Sequence, residues 1–327
     1  MKAVYINDPS PNAAVSLCEV DEPASPLASQ VLVRVRAAGL NRADLMQVKG
    51  LYPPPPGVSP NIPGLEFAGE VTEVGSDVTQ WSGGERVFGI TAGEAQVEYL
   101  ITDALHLARI PDSLTFIEAA AVPEAFITAQ DAVITQAALS AGETLLIHAV
   151  GSGVGLAALQ IAKAIGARVI GTSRTAAKLA KCDEFGIDAG IVTAEPLFAD
   201  AVAEANGGRG ADVILDLVGG AYFSENIKCL AAKGRLMLVG LTAGRKSEID
   251  LGVVLQKRLT LTGTVLRGRS FDEKAAVTRK FVDEIVPLLG SGRLRPVIDR
   301  VFAAADVSAA YDHLASNESF GKVVLEF

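Results

Sequence analysis

Thr144-Leu-Leu-Ile-His-Ala-Val-Gly-Ser-Gly-Val-Gly-Leu-Ala-Ala-Leu-Gln160, read together with Gly171-Thr-Ser-Arg174, decides the fold. Leu145 to Ile147 is an apolar run that reads as a buried strand. A glycine-rich turn follows at once, through Gly151, Ser152, Gly153, Val154 and Gly155, and then a helical pattern through Ala157, Leu159, Ile161 and Ala162. A second apolar strand runs from Arg168 to Gly171. Strand, tight turn and helix in this order suit a nucleotide pyrophosphate. Glycines let the backbone approach the phosphates, and a helix N-terminus offers unpaired N–H groups with a partial positive charge.

The end of the second strand selects the nucleotide. A binder of NAD places Asp or Glu about 20 residues after the glycine turn, to hold the ribose 2′-OH. This window reads Gly171-Thr172-Ser173-Arg174, with Lys178 one helical turn on and no carboxylate. Two hydroxyls, a guanidinium and an ammonium suit a 2′-phosphate, which points to NADPH. The motif departs from a full G-x-G-x-x-G, since Val150 and Ser152 stand at glycine positions when it is aligned on Gly155. The plainer alternatives are a strand-turn-helix with Arg174 and Lys178 on a solvated face, and Ser173 as the cap of a helix beginning near Thr175.

The surroundings agree with that frame. From about Pro123, apolar strands at Leu145–His148, Arg168–Thr172, Ala189–Val192, Val213–Asp216, Gly234–Val239 and Leu259–Thr264 alternate with helices, predicting a doubly wound parallel sheet. Before it, short alternating segments at Lys2–Ile6, Ala14–Glu19, Gln30–Ala38, Phe67–Val74, Arg86–Ile90 and Gln96–Ile101 predict a compact barrel-like sheet. The tail carries one long helix at Asp272–Leu289, a strand at Ile298–Phe302, a short helix and a last strand at Lys322–Phe327, and it should return to the first domain. Tyr52-Pro-Pro-Pro-Pro56 is a stiff polyproline-like loop.

Composition limits the partners. The 327 residues suggest about two domains, and a formal net charge of −9 argues against nucleic acid or an anionic membrane as the main partner. Cys18, Cys182 and Cys229 lie far apart and match no disulfide or metal spacing. The chain has no apolar signal core at its start and no run long enough for a membrane span, so a cytoplasmic setting is expected. A catalytic zinc needs three clustered Cys, His or carboxylate ligands, and the three histidines (His106, His148, His313) stand beside no cysteine.

The order of barrel, nucleotide domain and returning tail resembles the medium-chain dehydrogenase/reductase superfamily. Ala38-Gly39-Leu40-Asn41-Arg42-Ala43-Asp44 is similar to a segment of its zinc-free quinone oxidoreductases of the zeta-crystallin type. Tyr52-Pro-Pro-Pro-Pro56, Ile62-Pro-Gly-Leu-Glu-Phe-Ala-Gly-Glu70 and Ser152-Gly-Val-Gly155 look particularly like the tumour-suppressor-inducible quinone oxidoreductase subgroup. The resemblance implies an α/β protein: a β-barrel-like, GroES-like catalytic domain at 1–124 and 267–327, and a Rossmann doubly wound parallel sheet at 125–266. Zinc-dependent relatives carry Cys where this chain has Asn41 and His where it has Leu65, which leaves no metal to stabilise an alkoxide.

The resemblance further implies that the nicotinamide lies in a cleft lined by Asn41, Asp44, Tyr52 and Thr128. Asn41 would donate to an acceptor carbonyl, and Tyr52 would do the same or supply a proton. The plainer readings are a turn-forming amide for Asn41 and a ring stacked on its own proline loop for Tyr52. Asp44 reads as a brace for the following helix. Gly240, Leu241, Val265, Leu266, Arg267 and Asn317 are expected near the cofactor. Thr193 replaces a tyrosine that relatives often carry near the adenine, while His148 and Glu66 read as structural.

The implied activity is NADPH-dependent hydride transfer to a quinone, with reduction of an enone, enoyl or alkenal carbon–carbon double bond as the alternative. A non-enzymatic NADPH-binding sensor or structural protein is the rival from another class. The resemblance also implies a homodimer or homotetramer, with the strand near Leu259–Val265 as a candidate sheet-to-sheet interface.

Overall fold

The computed structural model describes residues 1–327, which divide into two compact units, Met1–Ile127 with Leu266–Phe327 and Thr128–Val265. In the first unit β1 (Lys2–Ile6) and β2 (Val15–Glu19) form an antiparallel pair. The organising strand is β3 (Gln30–Leu40), 11 residues long. Val31, Val33 and Val35 alternate inward along its first half, and from Ala37 onward nearly every residue is buried. That length gives one edge two partners. β6 (Tyr99–Asp103) pairs with Gln30–Arg34, and β15 (Lys322–Glu326) pairs with Ala37–Leu40. The other edge takes β4 (Glu66–Val74), followed by β5 (Arg86–Ile90) and β7 (Leu107–Arg109). β14 (Ile298–Ala303) runs parallel to β15 and ends the sheet on that side. Phe67, Val71, Val87, Val97 and Leu100 fill the core with the three valines of β3. The returning tail thus belongs to the first unit.

Helix α1 (Arg42–Val48) starts directly after β3. Its first turn is braced by Asp44, whose Oδ2 accepts the Asn41 backbone N–H at 2.7 Å. Helices α2 (Phe116–Ala120) and α3 (Pro123–Gln130) follow the sheet.

The second unit is a six-stranded sheet in which every neighbouring pair is parallel. Its strands are β8 (Thr144–Ile147), β9 (Arg168–Ser173), β10 (Ala189–Val192), β11 (Ala211–Asp216), β12 (Leu230–Leu238) and β13 (Thr260–Gly263). The order β10-β9-β8-β11-β12-β13 reverses direction between β8 and β11. That reversal is the topological switch point at which doubly wound sheets bind ligands, outside the carboxyl ends of the strands. Central strands are mostly apolar because both faces are covered, and Leu146, Ile170, Ile214 and Leu236 are fully buried. Helix α4 (Gly153–Ala164) follows β8, and α5 (Ala176–Cys182) follows β9.

Two segments differ from the sequence expectation. The single helix expected over Asp272–Leu289 is two helices, Phe271–Glu284 and Val286–Gly290. Pro287 lacks an N–H and its ring opposes the carbonyl four residues back, so the first helix stops and Pro287 sits in the first turn of the second. The strand expected at Gln96–Ile101 begins at Tyr99; Val97 makes only an isolated bridge to Ala3. No helix is long and apolar enough to cross a membrane.

Candidate functional site

The glycine-rich turn lies at the switch point. Ser152 caps α4, its Oγ accepting the Gly155 N–H at 3.1 Å, while the N–H groups of Gly153 and Val154 have no acceptor in the chain. Gly155 is buried where the turn folds back on itself. A Cβ there would lie 2.6 Å from the Val150 carbonyl oxygen and 2.7 Å from that of Ala149. A cradle of unpaired amides at the start of a 12-residue helix fits a pyrophosphate.

Thr172 and Ser173 are buried at the end of β9, whereas Arg174 is exposed and Lys178 lies one turn into α5. Thr175, not Ser173, takes the N-cap position of α5, with Ser173 Oγ accepting the Thr175 N–H at 3.4 Å. The Thr193 hydroxyl is engaged, since the Tyr222 OH donates to it at 3.0 Å. Gly240 is held by its N–H on the Asp216 carbonyl at 3.2 Å, and Leu241 beside it is exposed. Thr128, in α3, and Val265, after β13, are also partly or well exposed.

The first unit carries a cluster of buried charge. Glu66 opens β4 and Lys322 opens β15, and the two form a buried ion pair. Lys322 Nζ also donates to the Leu40 carbonyl at 2.8 Å and to Asn41 Oδ1 at 2.6 Å. Asn41 Nδ2 donates to Glu66 Oε1 at 2.9 Å, and Glu66 Oε2 accepts the Glu124 N–H at 2.8 Å. The amide that the sequence offers to an acceptor carbonyl is therefore occupied at both ends within the unit. Asn41 joins β3, β4 and β15.

That position does not suit a divalent metal. An ammonium already lies on the two oxygens that would bind it, Leu65 offers no ligand, and nowhere do three His, Cys, Asp or Glu side chains gather suitably.

Arg267 is buried and clamps the segment around Tyr52. Its Nε donates to the Ala92 carbonyl at 2.7 Å, Nη1 to the Tyr52 carbonyl at 2.9 Å and Nη2 to Gln47 Oε1 at 2.5 Å. The guanidinium lies 5.1 Å from the centre of the Tyr52 ring, so that ring packs under a cation. The Tyr52 hydroxyl has no partner in the chain, and burial, then Glu124, push its pKa up, so it stays a protonated donor. Asn317 ends the helix Val307–Ser316 in the left-handed conformation and accepts a hydrogen bond from Arg42.

Glu124, in the first turn of α3, stands apart from the other acids. Both oxygens of Glu66 and of Asp44 accept hydrogen bonds, whereas no hydrogen bond holds the Glu124 carboxyl. Burial, then the neighbouring Glu66, push its pKa up to about 8; Asp44 is pushed to about 6, mainly by burial. Between pH 4.5 and about 8 the folded chain therefore holds a proton on Glu124 that the unfolded chain releases. Its contribution to stability is fully present at low pH and is lost as pH rises through about 8. The Glu124→Gln variant should gain roughly 2–4 kcal/mol relative to the parent between about pH 5 and pH 9. Urea unfolding at the two pH values measures this, and parallel pH profiles for the two proteins would contradict it.

Comparison with known proteins fits both halves. Residues 28–131 match the model of the alcohol dehydrogenase GroES-like domain, and residues 153–284 match that of the zinc-binding dehydrogenases. A quinone oxidoreductase-like protein 2 homolog of Nematostella vectensis is 35% identical over 300 residues, covering 91% of this chain and 81% of that one. The chain belongs to the medium-chain dehydrogenase/reductase superfamily. Within that superfamily its relatives include quinone oxidoreductase-like proteins, and it is a nicotinamide-dependent oxidoreductase. Among solved structures, the quinone oxidoreductase of Pseudomonas syringae pv. Tomato DC3000 matches with a TM-score of 0.88 at 30% identity, over 100% of this chain and 99% of that one. The JamJ enoyl reductase in its apo form matches at 0.86 and 25% identity, over 100% and 99%.

Proposed function

We propose that this reductase uses NADPH and passes hydride to a quinone without a metal. The end of β9 carries the cofactor choice: Ser173 and the exposed Arg174 close the strand, Lys178 follows on α5, and no carboxylate stands there to receive a ribose 2′-OH. The bound cofactor supplies the hydride. The amides of Gly153 and Val154 would hold its pyrophosphate, and Arg174 and Lys178 its 2′-phosphate. Tyr52, with its hydroxyl unengaged and protonated, is the group we assign to the acceptor oxygen, where negative charge develops as hydride arrives. Asn41 holds β3, β4 and β15 together rather than donating to substrate, because both ends of its amide are occupied.

The likeness to JamJ supports a second reading, reduction of a carbon–carbon double bond beside a carbonyl, which would use the same cofactor half. We further assign self-association, as a homodimer or homotetramer, to the outer strand β13 and the exposed Leu251, Leu255 and Leu261 around it.

The double variant Arg174→Ala/Lys178→Ala tests the cofactor choice. Losing two charge-assisted contacts to the 2′-phosphate should weaken NADPH by about 50- to 500-fold while changing NADH less than about threefold. Fluorescence titration with both nucleotides measures it. An unchanged NADPH to NADH ratio would remove the 2′-phosphate site from this strand end.

A further inference from the structure

A chain of buried polar side chains runs beneath the glycine-rich turn at the carboxyl ends of β8, β9 and β11. His148 directly follows β8, Thr172 lies near the end of β9, Asp216 closes β11, and Asn226 comes from the helix Phe223–Cys229. None of the four is more than 1% exposed. Asp216 Oδ1 accepts the N–H groups of Val218 and Gly219, both at 2.8 Å, and Oδ2 accepts Asn226 Nδ2 at 2.9 Å. Asn226 Oδ1 then faces His148 Nε2 at 2.6 Å. A carbonyl oxygen can only accept, so Nε2 carries the hydrogen. Burial pushes the His148 pKa down, the ring is neutral, and Nδ1 accepts from the Thr172 hydroxyl at 2.9 Å. The carboxylate at one end therefore sets every proton along the chain. Tyr222 and Phe198 close over the imidazole at 5.0 and 4.8 Å between ring centres.

The same residues hold the loops above them by their main chains. The Thr172 carbonyl accepts the Val150 N–H at 3.0 Å, and the His148 N–H reaches the Leu215 carbonyl at 3.1 Å. The Asp216 carbonyl accepts the N–H groups of Val239 and Gly240 at 2.8 and 3.2 Å. Ala149, between His148 and Val150, has φ 51°, a left-handed conformation that costs an alanine roughly 1 kcal/mol. It persists because both neighbours are held, and it turns Val150 to Gly155 back over the strand end.

We infer that Thr172, His148, Asn226 and Asp216 are positioning residues for the cofactor: a proton-ordered relay that fixes the glycine-rich turn so that its amides meet the pyrophosphate. The relay acts through Ala149 and Val150. It rests on the reading of that turn as the NADPH cradle.

Two measurements on the full-length protein test it. With 15N-labelled histidine, one of the three ring systems should be the neutral Nε2–H tautomer throughout about pH 7 to 8, and Thr172→Val should shift its Nδ1 signal. Thr172→Val keeps the side-chain volume and removes the donor to Nδ1; His148→Leu removes the ring's polarity. Their NADPH dissociation constants should rise about fivefold and about tenfold or more, while 2′-AMP, which lacks the pyrophosphate, stays within about twofold. A role confined to stability would lower the melting temperature without separating the two ligands. Unchanged NADPH binding in both variants, an equal loss for 2′-AMP, or a His148 ring that titrates in this range would overturn the relay. If the parent binds NADPH and the variants bind it equally well, only the relay falls. A parent that binds neither NADPH nor NADH removes the cradle and the relay together.

Discussion

Lys322→Met should destabilise the protein by about 3–5 kcal/mol, the usual cost of removing one partner from a buried ion pair. Lys322 and Glu66 are 5% and 0% exposed, so neither charge can turn to water once its partner is gone. The ammonium also donates to Asn41 Oδ1, and it ties the Leu40 carbonyl on β3 to β15. Methionine restores most of the volume but leaves Glu66 with only the Asn41 amide and the Glu124 N–H to support its charge. Adding Glu66→Gln removes that orphaned charge, so the double variant should be more stable than Lys322→Met alone. Urea unfolding of the parent, both single variants and the double variant gives the coupling directly. A loss below about 1 kcal/mol for Lys322→Met would mean that water or a rearranged carboxylate relieves the charge.

Gly155→Ala should weaken NADPH binding about 30- to 100-fold. Its Cβ would fall 2.6, 2.7 and 2.8 Å from the Val150 oxygen, the Ala149 oxygen and the Val150 Cα, separations that carbon atoms do not tolerate. All three are backbone atoms of the turn itself, so no side chain can swing aside. Either α4 moves away from the turn or the turn moves off the strand end, and the amides of Gly153 and Val154 leave the pyrophosphate in both cases. Overpacking typically costs about 1–3 kcal/mol, and the stated change in affinity corresponds to roughly 2.0–2.7 kcal/mol. Titration of NADPH fluorescence measures it, and an affinity within about threefold of the parent would show that the cradle lies elsewhere.

The nucleotide unit was legible because its signals are local. Apolar runs bounded by Gly151, Gly153 and Gly155, then by Gly171, mark strands and turns within short windows, and six strands were placed with ends off by only a few residues. The apolar spacing that predicts one helix over Asp272–Leu289 continues past Pro287, where the chain instead divides into Phe271–Glu284 and Val286–Gly290.

The charged cluster of the first unit was not legible in the same way. Lys322 and Glu66 meet across 256 residues of sequence, and no local period announces a pairing of β15 with β3 beside β4. One signal was present. Lys322 precedes Val323-Val324-Leu325, and Glu66 stands between Leu65 and Phe67, so each is a charge at the head of a buried strand. Opposite charges in such places call for one another. Asp216, after Val213-Ile214-Leu215, carries the same signal, and its partners proved to be amides and Asn226. The Asn41 amide illustrates the converse: its position suggested a donor to substrate, and only the three-dimensional neighbours show it occupied.

The measurement that bears most directly on the proposed function is consumption of NADPH and of NADH, followed by absorbance, with a simple quinone and with a short enoyl thioester as acceptors. The account predicts turnover with the quinone, faster with NADPH than with NADH and undiminished by a metal chelator. Preference for the thioester would transfer the assignment to carbon–carbon double-bond reduction. Tight NADPH binding with turnover of neither acceptor would contradict a reductase of either kind.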